Sequence, residues 1–240
     1  MFLLERQSIK RDWQQKTQRS IKTKPVAVKK DLVDKHIYLF TDFWETTLEL
    51  GRIPANSEFE YSEQIRRVAG SHKKAHQALL NYFGSELFQE AQKKRKEDLL
   101  VYFALGLFEK RKPQTHMPES LKRDIKAFYD SYSDAIKQAT EALFSVGNPV
   151  LIEEACVTAY QKLQCGEFNE GHSYIFHKDL LGELPTELRI YVGCATQLYG
   201  DLDGIQLIKA HMTSGKVSLM GYKGWESETP LLIERIKIKM

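Results

Sequence analysis

Between residues 31 and 50, apolar side chains recur at helical spacing at Val33, Ile37, Phe40, Trp44 and Leu48, behind Asp31 as a cap and ahead of Gly51. This spacing predicts a first helix. The loop Gly51-Arg52-Ile53-Pro54-Ala55 leads to Asn56, with Glu58 in the first turn of a second helix that carries Phe59, Ile65 and Val68 and runs to Gly70. Ser71 is placed to cap a third, with Ala75, Ala78, Leu79 and Tyr82 on one face and Gly84 at its end. From Ser85 a longer helix is expected to about Lys112, before Pro113. A stripe over Leu121, Ile125, Phe128, Tyr132, Ala135, Ala139, Leu143 and Val146 predicts about seven further turns. Asn148 then caps, and Pro149 starts, a helix to about Gln164.

After Gly166 the period changes. Ser173 to Lys178, Ile205 to Met212, Lys216 to Tyr222 and Leu232 to Lys239 read as strands, with Ser214-Gly215 as a hairpin signal. In the last of these, Ile236, Ile238 and Met240 alternate with Arg235, Lys237 and Lys239, the period of a strand with one buried and one wet face. A helix from about Thr186 to Tyr199 interrupts the series. The expected fold is α+β, with a mostly helical N-terminal two thirds and a small C-terminal unit containing an antiparallel sheet. Its expected divisions are 1–30, a basic arm or linker; 31–84, a three-helix unit; 85–165, a helical core; and 166–240, a small α+β unit.

A 42% hydrophobic and 11% aromatic composition is enough for a closed core. Cys156, Cys165 and Cys194 are odd in number and unclustered, which favours a reducing compartment over a disulfide scaffold or a zinc site. The amino terminus lacks the apolar run of a signal peptide, and the longest apolar run, Leu99 to Phe108, falls short of the roughly 20 residues of a bilayer helix. A cytoplasmic chain without a membrane association is expected.

The net charge of +3 is unevenly distributed. Residues 1–30 hold nine Lys and Arg against Glu5 and Asp12, a net of +7, which leaves −4 for the remaining 210 residues. A basic arm on a mildly acidic body either neutralises phosphates by counterion release or serves as a solvated linker.

No two glycines are separated by a single residue, so the G-x-G turn of a dinucleotide or methyl-donor site is missing. No bound cofactor is expected. Val192-Gly193-Cys194-Ala195-Thr196 has Ala195 at the second glycine position and reads as helix. Gly166 to Gly171 has phosphate-loop spacing, but His172 replaces the lysine and Glu167 and Glu170 would repel phosphate. His72 and His76 stand four apart, as helical metal ligands do, yet Lys73 and Lys74 lie between them, and a basic helical face is the better reading; no metal is expected. The run Lys93-Lys94-Arg95-Lys96 spans more than one turn and does not form one ridge.

In the C-terminal unit, Lys209 and His211 share a strand face, as do Lys216 and Ser218 across the hairpin. With Lys178 they form a candidate anion site at Lys178, Lys209 and Lys216. His177 and His211 are the candidate acid and base if the unit is catalytic, against the alternative of an ordinary charged sheet face. Arg235, Lys237 and Lys239 read as edge protection.

Several blocks, in order, resemble the later part of the DNA phosphorothioation-associated methyltransferase family. They are Lys96 to Leu105, Leu121 to Tyr129, Tyr174-Ile175-Phe176-His177-Lys178, Leu188 to Ala195, Gly200-Asp201, Leu207-Ile208-Lys209-Ala210-His211 and Lys216 to Tyr222. The resemblance covers about residues 30 to 240. It implies a bacterial chain tied to systems that put sulfur into the DNA backbone, and to the defence they provide. Family members usually carry a methyl-donor domain ahead of this region; this sequence has none, so methyl transfer is not carried over. A second stretch, Leu50-Gly51-Arg52-Ile53-Pro54, Glu58-Phe59 and Gly70-Ser71 followed by Lys74-Ala75, resembles small helical repeats found beside some homing endonucleases, which implies DNA binding.

The expectation is an accessory or DNA-engaging module of a phosphorothioation-associated system. Arg19, Lys22, Lys24, His72, Lys73, Lys74 and Gln77 are its candidate nucleic-acid contacts, and a protein of the same system is its candidate partner. The alternatives are a methyltransferase subunit that needs a separate donor-binding domain, or a purely structural docking module.

Overall fold

The computed structural model describes residues 32–107 and 116–239, and the chain divides into two compact units between Arg95 and Lys96. In the first unit the expected opening helix is interrupted. Residues 32–35 are helical, but His36 leaves helical dihedrals (φ −124°, ψ 36°) before α1 (Ile37–Leu50). Helix α1 buries Phe40, Phe43, Trp44 and Thr47, the i, i+3, i+4, i+7 set of one face. Each such apolar side chain contributes on the order of 2 kcal/mol on burial. Gly51 then turns the chain at φ 60°, and a Cβ there would stand 2.8 Å from Arg95 Cβ and 2.9 Å from the Ala91 carbonyl oxygen.

The second helix starts later than its apolar spacing predicts. Asn56–Glu58 forms a short 3₁₀ turn, Phe59 is extended with its ring buried, and α2 runs Ser62–Ala69. Glu58 is the reason: its carboxylate folds back onto the Ala55 N–H and the Arg52 guanidinium and so closes a loop instead of opening a helix. Helix α3 (His72–Phe83) begins where expected, with Ser71 Oγ accepting from Lys74 N–H, and ends at Gly84. Helix α4 (Glu86–Leu105) stops short of Lys112, because at Gly106 and Leu107 the chain leaves the helix in a turn.

In the second unit the stripe from Leu121 to Val146 belongs to two helices, α5 (Glu119–Phe128) and α6 (Tyr132–Ser145). Tyr129 is extended (φ −135°, ψ 153°) and buries its ring, while Ser131 caps α6 through the Asp134 N–H. A cap-forming Ser-x-x-Asp outweighs continued periodicity here. Asn148 and Pro149 open α7 (Pro149–Leu163) as expected, and Gln164 closes it in a left-handed conformation.

The sheet is antiparallel, in the order β1 (Glu167–Asn169), β2 (Ser173–His177), β3 (Leu207–His211), β4 (Lys216–Lys223), β5 (Leu231–Lys239). Strand β1, which the sequence pattern does not announce, shows that Gly166 to Gly171 is a hairpin and not a phosphate loop. Helix α8 (Thr186–Tyr199) lies between β2 and β3 in the chain and contains the whole segment Val192 to Thr196. Gly193 is small for packing: a Cβ would meet Leu105 Cδ1 at 2.6 Å. One core joins the helices to the sheet through Tyr174, Phe176, Ile208, Ala210, Val217 and Leu219, with Ile236 and Ile238 half-buried against it. The Tyr191 hydroxyl donates to the His211 and Lys216 carbonyls at 2.8 and 3.0 Å and ties the ends of β3 and β4 to α8. No helix among the described residues is long and apolar enough to cross a membrane.

Candidate nucleic-acid interface

Strand alternation puts the remaining side chains of the sheet on its second face, and the register groups them in rows. One row runs Glu167, Ile175, Lys209, Ser218, Lys237. The next runs His177, Leu207, Met220, Arg235, and on the other side lie Ser173 with His211 and Lys216 with Lys239. Rows are about 6.7 Å apart. Lys209, Lys216, Arg235, Lys237 and Lys239 therefore share one face with His211. Arg235, Lys237 and Lys239 are exposed; Lys209, His211 and Lys216 are half-buried. Among the described residues in these rows the carboxylate is Glu167, at the far edge on β1.

His211 Nε2 lies 3.0 Å from Ser218 Oγ, a side chain with no exposure. Burial pushes His211 below its ordinary value of 6.5, and the nearby Lys209, Arg235, His172 and Lys216 push it further the same way. The cations of this face thus oppose a further positive charge on the imidazole, adding to the effect of burial. Ser173 Oγ, also buried, has no hydrogen-bond partner among the described residues.

At one end of the face stands an aromatic group that the sequence reading missed. Trp225 packs on His177 with ring centroids 5.6 Å apart at 30°, and on Tyr222 at 5.4 Å and 56°. His177 is on β2 and Tyr222 on β4, two strand spacings or roughly 10 Å apart, so the indole bridges across β3. The β4–β5 turn aims it there: Gly224 has φ +66°, and its carbonyl accepts from both Ser227 N–H and Ser227 Oγ. The available signal was a tryptophan in an otherwise polar turn between two strands.

The other candidates divide. Lys178 leaves the proposed anion set: it opens a 3₁₀ helix, and its Nζ donates to the Leu202 carbonyl at 2.9 Å. His177 and His211 are not brought together. Ser173 is the register partner of His211, so His177 lies four residues away along β2, about 13 Å. His177 Nδ1 instead accepts the Asp179 N–H at 3.4 Å. The thiols of Cys156 and Cys194 are buried and pushed up to about 12 and about 11, which leaves them protonated and unreactive.

In the first unit His72 is no nucleic-acid contact. It is buried, with Nδ1 2.7 Å from the Pro54 carbonyl oxygen and Nε2 3.0 Å from Ser62 Oγ, and its ring meets Phe43 edge-on at 5.0 Å. Lys73, Lys74 and Gln77 do form the exposed side of α3, where Gln77 Nε2 reaches Asn81 Oδ1 at 3.4 Å. The residues of the second resemblance hold this unit together: Arg52 with Glu58, Pro54 with His72, and Ser71 as cap. Lys93, Lys94 and Lys96 are exposed while Arg95 is half-buried, so that run makes no single face. Arg19, Lys22 and Lys24 lie outside the described residues.

No family model, no curated protein and no solved structure matches this chain.

Proposed function

We propose that this chain is a nucleic-acid-engaging module that acts as an accessory in a DNA phosphorothioation-associated modification system, and that it is not itself the methyl-transferring catalyst. The observation that carries the reading is the basic face of the sheet, where five Lys and Arg side chains and a histidine converge from three adjacent strands. Such a concentration of like charge is costly when empty and favourable beside a polyanion, through phosphate contact and counterion release. Lys73 and Lys74 on α3 offer a second, separate set of phosphate contacts. The link to the modification system rests on the sequence blocks that resemble that family, four of which form β2, α8, β3 and β4. The separation of His177 from His211 supports binding over acid–base chemistry.

The test is binding of the full chain to labelled single-stranded and duplex oligonucleotides between about 50 and 200 mM salt. Affinity is expected to fall steeply with salt. Replacing Lys209 and Lys237 together by Ala flattens the log–log slope for single strands by about 1.4, and replacing Lys73 and Lys74 flattens the duplex slope by about 1.8. Absent or salt-independent binding overturns the reading.

A further inference from the structure

Resting on the nucleic-acid reading above, we infer that the sheet face takes single-stranded DNA, with a base stacked on the Trp225 platform and the adjoining phosphates on Arg235, Lys237 and Lys209. The rings and the cations belong to one surface. Arg235 ends the row that begins at His177, and Lys209 and Lys237 occupy the next row, about 6.7 Å along the strands. Moving from the platform along the sheet, a strand would thus meet rings first and then cations at successive row spacings.

Three features favour an unpaired strand. In a duplex the faces of the bases are covered by stacking, so a ring platform beside phosphate contacts is useful only when bases are free to leave the stack. The half-buried Trp225 is held on one side by His177 and flanked by Tyr222, contacts that restrict the indole and lower the ordering cost of binding. A five-stranded sheet presents a broad surface, whereas strand elements that enter the major groove of a duplex are narrow two-stranded ribbons.

The choice of DNA rests on the link to a DNA-modification system proposed above. Of the hydroxyls on this face, those of Ser173 and Ser218 are buried, and Ser218 is occupied by His211, while the half-buried Tyr222 phenol stands beside Trp225. Glu226 and Glu228 share the turn with Trp225, Asp179 Oδ2 stands 3.4 Å from His177 Nδ1, and Glu234 pairs with Gly221, so carboxylates flank the platform and steer the phosphates toward the Lys209 and Lys237 row.

The experiment measures affinity of the full chain for a short fluorescent oligothymidylate, against an abasic strand, a duplex and an oligouridylate of equal length. Oligothymidylate is expected to bind tighter than all three. Trp225→Ala weakens oligothymidylate binding about tenfold, and Trp225→Phe restores most of the loss. The salt slope stays at the wild-type value in both variants because no phosphate contact is removed. Unchanged abasic-strand affinity in Trp225→Ala shows that the face has kept its fold. Equal binding of Trp225→Ala and wild type to oligothymidylate overturns the stacking inference while leaving electrostatic binding intact. Preference for the duplex or for oligouridylate overturns the commitment to single-stranded DNA. Failure of every strand to bind overturns this inference and the function beneath it together.

Discussion

Arg52 and Glu58 form a two-pronged ion pair, with Nη1 to Oε2 at 2.7 Å and Nη2 to Oε1 at 2.8 Å, and only 8% and 12% of the two side chains exposed. The pair closes the loop between α1 and α2, and the same carboxylate also takes the Ala55 N–H. Losing one partner leaves a charge in a dry loop. Arg52→Ala is therefore expected to destabilise the protein by about 3 kcal/mol in urea denaturation. The double variant Arg52→Met with Glu58→Gln should cost less than the sum of the single ones, because neither side chain is then left as an uncompensated charge. Strict additivity would show that the pair is not a unit.

This loop also illustrates what the sequence makes legible. Capping and strand alternation act over a few residues, so Ser71, Asn148 and the Ile236/Ile238 alternation could be read directly. His72 was legible as well, because His72, Ala75, His76 and Leu79 are i, i+3, i+4 and i+7 on α3 and all are buried. The polar character of histidine concealed that pattern. The break at Tyr129 was hidden because α5 and α6 both turn apolar residues toward one core, so the stripe continues across a chain that does not.

The basic face was only half legible for a different reason. Lys209 with His211, and Lys216 with Ser218, follow from alternation within a strand. That Lys237 completes the row of Lys209 and Ser218 depends on pairing between β3, β4 and β5, and residue types alone do not specify that register. Strand β5 is an edge strand, as the edge-protection reading of Arg235, Lys237 and Lys239 requires, and the register adds that these side chains continue the rows of β3 and β4. Trp225 reaches His177 only because the turn folds it back across β3.

Gly193 and Leu105 give a second prediction. Alanine in the middle of a helix gains about 1 kcal/mol over glycine, but at position 193 the added methyl would press on Leu105 at 2.6 Å. Gly193→Ala is expected to lower stability by about 1 kcal/mol net, since overpacking of this kind outweighs propensity. In a Leu105→Ala background the same change should instead stabilise by about 1 kcal/mol. A thermodynamic cycle of the four proteins reads the reversal, and an unchanged sign would place the glycine's role elsewhere.

His76 makes the first unit sensitive to acid. Its ring lies 4.5 Å from that of Phe88, its Nε2 has no hydrogen-bond partner among the described residues, and burial pushes it below 6.5. The unfolded chain then takes up a proton more readily than the folded one. Stability from the neutral form is fully present above pH 6.5 and is lost as pH falls from there through the lowered folded value. His76→Leu should shrink this loss and raise stability at low pH, leaving the share that His211 contributes with the same sign. Parallel stability curves of the variant and wild type across that window would rule out His76 as the source.

His211 carries the last prediction, on binding. Free of ligand it is held below 6.5 by burial and by Lys209, Arg235, His172 and Lys216, all of which oppose a further positive charge on the face. A bound phosphate backbone reverses the local potential and favours the imidazolium, so proton uptake and anion binding assist each other. Affinity for single-stranded DNA should therefore rise as pH falls below 6.5, the opposite direction from the stability of the fold. Going from about pH 7.5 to about pH 5.5, the salt slope should steepen by at most about 0.7, the contribution of one fully added cation on the face. His211→Gln keeps a polar side chain beside Ser218 and should bind normally at the higher pH while losing most of the increase at the lower. Since His172 lies close enough to oppose charge on His211, His172→Gln is the matching control, expected to retain the larger part of the effect. A pH response that persists in full in His211→Gln would assign it to another group.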